Sequence, residues 1–171
     1  DNVGPSLLGG VVLLRGYEPL DVVRLPVPER FCCTVAHPAI MVSTREAREV
    51  LPREIPLRSA VSQWGNVGGL VAGLMSGDVE LVGRSMRDVV AEPHRKRFIP
   101  GFDSLRDAVL EAGALAMNIS GAGPSVFAIS SSMETAARVG EVMKAHFADR
   151  GISSDIYVSK VSNRGARVLN D

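Results

Sequence analysis

Two cysteines, three histidines and no excess of either charge sign leave this sequence few of the usual handles on function. Cys32 and Cys33 are adjacent, so in a strand they point to opposite faces, and neither a metal pair nor a disulfide follows. They read as small buried hydrophobes of a reducing compartment. His37, His94 and His146 are scattered without metal-ligand spacing, and no nucleophile has an evident base beside it. Lysine plus arginine and aspartate plus glutamate both number 19. Overall charge therefore makes no case for nucleic acid or an anionic membrane, and any anion site must be local. No apolar run nears the roughly 18 residues of a membrane span, and no basic-then-apolar leader opens the sequence, so the expected location is the cytoplasm. Repeats and low-complexity tracts are also lacking. So is an initiating methionine: "DNVGPSLLGG" goes straight into patterned sequence, as expected of a chain that begins inside a domain.

What is present supports a packed core, because 46% of the 171 residues are hydrophobic. The stretch "NISGAGPSVFAIS" holds a small-residue turn between two short apolar runs, Ala114–Ile119 and Val126–Ile129, which read as buried strands. Glycines at 121 and 123 let backbone amides converge on an anion, or simply make a tight hairpin; both readings stay open. Before it, residues 2–9 read as a short helix, Val11–Leu14 as a strand, and the Pro-punctuated "EPLDVVRLPVPER" as an edge segment or linker. Phe31–Ala36 reads as a buried strand stopped by His37-Pro38. Ser43 and Glu46 have capping-box spacing at the head of a helix closed by Pro52.

From Leu57 a longer helix places Val61, Trp64, Val67, Leu74 and Met75 on one apolar stripe, with Gly65, Gly69 and Gly73 beside it as a packing groove. Helices follow from Asp78, from Phe102 to Gly113, and from Ser131 to Arg150, the last with Ser131/Glu134 capping-box spacing and Gly151 as its stop. "SDIYVSKV" and "ARVL" close the sequence as strand candidates. Strand, helices, strand, turn, strand, helix, strand is the order of a split β-α-β unit. The fold class is therefore α+β and ferredoxin-like, an antiparallel sheet with helices on one face.

Few residues suggest chemistry. Thr44 and Arg48 lie four apart at a helix start and share a face, which suits a small anion but equally a capped surface helix with a solvated arginine. Arg95, in "EPHRKR", reads as part of a solvated basic bend unless an anion partners it. His37 reads as structural, and His146 sits near the polar side of its helix.

Taken together, "DNVGPSLLGG", "VSTREAREVLP", "AEPHRKRFIPGF", "ISGAGPS" and "GARVL", in this order and at these separations, resemble the homoserine kinases of the GHMP kinase superfamily. The resemblance implies an active site between an N-terminal domain bearing the ATP phosphate loop and a C-terminal ferredoxin-like domain. The phosphate-loop pattern Pro-x-x-x-Gly-Leu-Gly-Ser-Ser-Ala is absent here. By this resemblance residues 1–27 are a remnant of the N-terminal domain (its last helix and strand) plus a linker, and 28–171 are the C-terminal domain. Asp1, Asn2, Thr44, Arg48 and Arg95 then fall on substrate-binding positions, the two arginines holding the homoserine carboxylate. Ser120, Gly121, Ala122, Gly123 and Ser125 fall on a glycine-rich loop near the phosphates.

No catalytic residue and no metal ligand is assigned to this half. The implied reaction moves the ATP γ-phosphoryl to the homoserine hydroxyl, giving O-phospho-L-homoserine for threonine biosynthesis. ATP and Mg²⁺ would be held mainly by the missing N-terminal half. Expected partners are L-homoserine, ATP and that half, with a homodimer left open and no nucleic acid or membrane. This chain alone is expected to be inactive and to carry an uncovered face near Val11–Leu14. The rival reading is a standalone amino-acid-binding module that uses the same arginines.

Overall fold

Alternating burial along Cys32–Pro38 (β3) sets the layering of the protein, described here by a computed structural model covering residues 3–169. Cys32, Thr34, Ala36 and Pro38 are buried on one side of the strand, while Cys33, Val35 and His37 point to the other. β3 lies inside a four-stranded antiparallel sheet with Ala116–Ile119 (β4), Val126–Ser130 (β5) and Ser154–Lys160 (β6), in the order β4-β5-β3-β6. Helices Phe102–Glu111 (α6) and Met133–Ala148 (α7) cover the face of Thr34 and Ala36. Leu105, Val109, Val139, Met143 and Phe147 are fully buried there, against Ala36, Val126 and Ala128. Thr34 joins this core without a polar orphan, since its hydroxyl donates to the Ala136 carbonyl at 2.8 Å. The split β-α-β reading from the sequence holds.

Several local expectations need correction. The other sheet face is not bare: Leu74 and Val82 pack with Phe31 and Ile129, with Cys33 and Phe127 alongside. These two side chains come from Leu57–Ser76 (α3) and Val79–Ser85 (α4), so helices stand on both faces. At the N-terminal end a short helix, Val3–Leu8 (α1), precedes Val11–Tyr17 (β1), which is longer than its apolar core suggested. Leu20–Leu25 (β2) takes the first of the two readings its prolines allowed, an edge strand, paired antiparallel with β1 from Val11↔Leu25 to Tyr17↔Leu20. Pro19 and Pro26 fall just outside it, where a missing N–H costs no ladder bond.

The "ARVL" tail forms no strand. Ala166 instead donates to the Ser6 and Leu7 carbonyls at 3.1 and 3.2 Å, which holds the tail against α1. The α7 cap is Ser132, whose hydroxyl accepts from the Thr135 amide at 3.1 Å, one residue later than expected. β5 runs through Ser130, so Ser131 is spent on leaving the sheet.

α3 departs furthest from the sequence reading. Of its expected stripe only Leu74 is buried, while Leu57, Trp64 and Met75 are 72%, 65% and 64% exposed. The glycines explain the inversion. A Cβ on Gly69 would overlap Ser85, and one on Gly73 would stand 2.9 Å from the Val82 amide nitrogen. α4 therefore approaches the small-residue side of α3 and leaves the bulky side outward. Gly65, with nothing within 4 Å, takes no part in this contact. Gly73→Ala is expected to lower stability by about 1–3 kcal/mol, although alanine is intrinsically the better helix former. Thermal unfolding by circular dichroism checks this, and an unchanged or raised midpoint would refute the close contact.

Cys32 is buried and Cys33 half-buried on opposite faces of β3, and burial with Cys32 as neighbour pushes Cys33 up to about 11, keeping it a neutral thiol. His146 does not lie on a polar face. It is buried, edge-on to Phe147 at 5.6 Å, and burial lowers its pKa against the opposing pull of the Pro100 carbonyl.

Candidate active site

Three segments far apart in sequence build one hollow. The first is Thr44–Glu49 (α2), capped by Ser43, whose hydroxyl accepts from the Glu46 amide at 3.4 Å as the capping box predicts. Thr44 and Arg48 sit one turn apart on the same exposed face. The Arg48 side chain makes no hydrogen bond and no ion pair with any described residue, so its guanidinium remains available to a ligand.

The second segment is Glu92–Arg95 (α5), a single turn held at both ends. The Asp88 carboxylate accepts from the amides of Val90, Ala91 and Glu92 at 2.8, 2.7 and 3.2 Å. Glu92 is buried and meets both terminal nitrogens of Arg106, one of them at 2.8 Å. Arg106 in turn lies over the Phe102 ring at 4.7 Å. Arg95 leaves the far end of this anchored turn. Its Nε donates to the Ala47 carbonyl and its Nη1 to the Gly121 carbonyl, both at 3.0 Å. It thus ties α2 to the glycine-rich turn and keeps Nη2 without a partner among the described residues.

That turn, Ser120–Ser125, is the third segment. It closes on itself through Ser120 N–H to Ser125 O at 2.8 Å and Gly123 N–H to Ser120 O at 3.0 Å. Gly121 and Gly123 have φ of 59° and 86°, a left-handed backbone that explains why glycine stands at both places. Thr44, Arg48, Arg95, Ser120, Gly121, Ala122, Gly123 and Ser125 together line a hollow of ≈ 340 Å³. Among the described residues two arginines and no carboxylate line it, which suits a small anion.

A hollow of similar size, ≈ 360 Å³, opens around Arg84, Arg87 and Arg106, but its floor is Leu110, Leu115 and Met117, and Glu92 neutralises Arg106. It contains no converging glycine turn and none of the expected residues.

His37, read from the sequence as structural, stands on β3 beside the end of the turn, its Nδ1 2.8 Å from the Ser125 hydroxyl, a contact between residues 88 apart that spacing cannot reveal. None of His37, His94 and His146 is in the hollow's lining. Asp1 and Asn2 lie outside the described residues. Among those described, no group of three His, Cys, Asp or Glu could hold a metal ion.

Residues 70–149 match the family model described as GHMP kinases C terminal. The chain is 51% identical to a homoserine kinase of Chlorobium phaeobacteroides (strain BS1) over 99% of its own length and 53% of that protein's. It is 42% identical to a homoserine kinase of Thermococcus gammatolerans, over 97% of this chain and 55% of that one. The crystal structure of homoserine kinase from Cytophaga hutchinsonii superimposes with a TM-score of 0.95 at 53% identity, covering 98% of this chain and 53% of that one. The chain thus spans about half the length of the curated relatives it matches.

Proposed function

We propose that this chain, whose residues 70–149 match the GHMP kinase C-terminal family model, is the acceptor-binding half of a homoserine kinase. The observation that carries this reading is the convergence of Thr44, Arg48, Arg95 and the 120–125 turn on one hollow. Arg48 offers an uncommitted planar fork and Arg95 its Nη2, which suits a carboxylate such as that of homoserine. Asp1 and Asn2, by their place in the family motif, complete the amino-acid pocket. The small-residue turn forms the wall toward the phosphates.

Phosphoryl transfer needs chiefly alignment and charge neutralisation. The share of this half is to fix the acceptor by its carboxylate so that its hydroxyl meets the γ-phosphoryl in line. We assign the Mg²⁺ ligands and most ATP contacts to the N-terminal half; among the described residues the lining of the hollow has no carboxylate. We place the reaction in the cytoplasm; no helix among the described residues is long and apolar enough to cross a membrane. For a homodimer, the outward side of α3 around Trp64 is the surface available.

The full-length protein is expected to release ADP from ATP only when L-homoserine is present, and the 171-residue chain to release none. A coupled ADP assay on both proteins decides. Turnover by the short chain, or no stimulation of the long one by homoserine, would overturn the reading.

A further inference from the structure

Ser125 is the one hydroxyl in the hollow whose direction another side chain can set, because the His37 ring stands 2.8 Å from its oxygen. A serine hydroxyl has one proton to give and lone pairs to receive. If Nδ1 of His37 carries a proton, it donates to the Ser125 oxygen, and the hydroxyl proton is free to point into the hollow. If Nδ1 is bare, it accepts that proton, and Ser125 turns only lone pairs toward the hollow, which repel an anion. The fully protonated ring always has a proton on Nδ1 and adds a positive charge.

Charged groups stand on two sides of this contact. Across β6, Asp155 is the register partner of His37 and, like it, exposed. Arg48 and Arg95 line the hollow together with Ser125. At the start of β5 there is only the neutral Ser125.

We propose that His37 is a positioning residue that aims the Ser125 hydroxyl at the bound phosphate, so that protonation of its ring tightens anion binding in the hollow. This rests on the kinase reading for the phosphate's identity, but not for the effect itself.

Sulfate separates the two, because it stays a dianion where histidine changes charge, between about pH 5 and 8. Isothermal titration of the full-length protein with sulfate at pH 5.5 and 8.5 is expected to show about fivefold tighter binding at the lower pH, the order expected of one added charge at a solvated site. His37→Gln and Ser125→Ala are both expected to flatten this ratio toward one. Parallel pH dependence in all three proteins overturns the proposal, as does absence of sulfate binding at pH 5.5. If His37→Gln flattens the ratio while Ser125→Ala keeps it, the ring acts by charge alone and the positioning role fails. Homoserine turnover at pH 8.5, measured on the same samples, reports separately on the kinase reading.

Discussion

Arg48→Ala in the full-length protein is expected to raise the homoserine KM by about 10- to 100-fold while leaving the ATP KM within about twofold. The estimate follows from charge-assisted hydrogen bonds worth about 1.5–3 kcal/mol and about 1.4 kcal/mol for each tenfold in affinity. The residue is suited to a clean test because it is exposed and its side chain bonds to no described residue, so losing that side chain orphans none of them. Thermal stability should stay within about 0.5 kcal/mol of wild type, as for surface substitutions in general. Arg48→Lys, with the charge but without the planar fork, should fall between the two.

Arg95→Ala makes the contrast. It strips partners from the Ala47 and Gly121 carbonyls, so affinity and stability should fall together. Steady-state kinetics and melting curves on the two variants distinguish these outcomes. An unchanged homoserine KM in Arg48→Ala removes that residue from the site.

Glu92→Ala is expected to cost about 3–5 kcal/mol of stability, the cost of leaving a mostly buried charge partner uncompensated. The Glu92 side chain is 10% exposed and that of Arg106 24%, so solvent does little to replace the lost partner. For a chain of this size the melting midpoint should drop by roughly 10 °C. The substitution reaches the site as well, because Glu92 opens the single turn that ends at Arg95. Glu92→Gln retains a hydrogen-bonding side chain and should lose less. Removing both partners, in Glu92→Met with Arg106→Leu, should recover much of the loss, since no charge is then left unpaired. A Glu92→Ala midpoint within a degree or two of wild type would mean that this pair does not anchor α5.

How much of this was legible depended on the range of the signal. The Ser43 cap, the glycine turn between β4 and β5, and the order of strands and helices from Phe31 onward are local patterns, and each stands where the sequence placed it. The motifs behind the resemblance singled out Thr44, Arg48, Arg95, Ser120, Gly121, Ala122, Gly123 and Ser125, and all eight residues line one hollow. Readings that turned on which face meets which neighbour fared worse. α3 is apolar on most sides, so periodicity located a stripe but could not foresee that α4 would dock on the glycine side instead. β2 stood open between an edge segment and a linker, and its pairing with β1 makes it an edge strand. The contact of His37 with Ser125 joins residues 88 apart and leaves no local signal.

Sequence alone determined the elements and the residue types able to bind an anion, since capping, turn formation and alternation act over a few neighbouring residues. Tertiary structure decided which arginine is free and which is a strut, which side of α3 is covered, and that His37 meets Ser125. Those outcomes depend on distances between segments far apart in the chain, which close packing of the sheet and its helices sets.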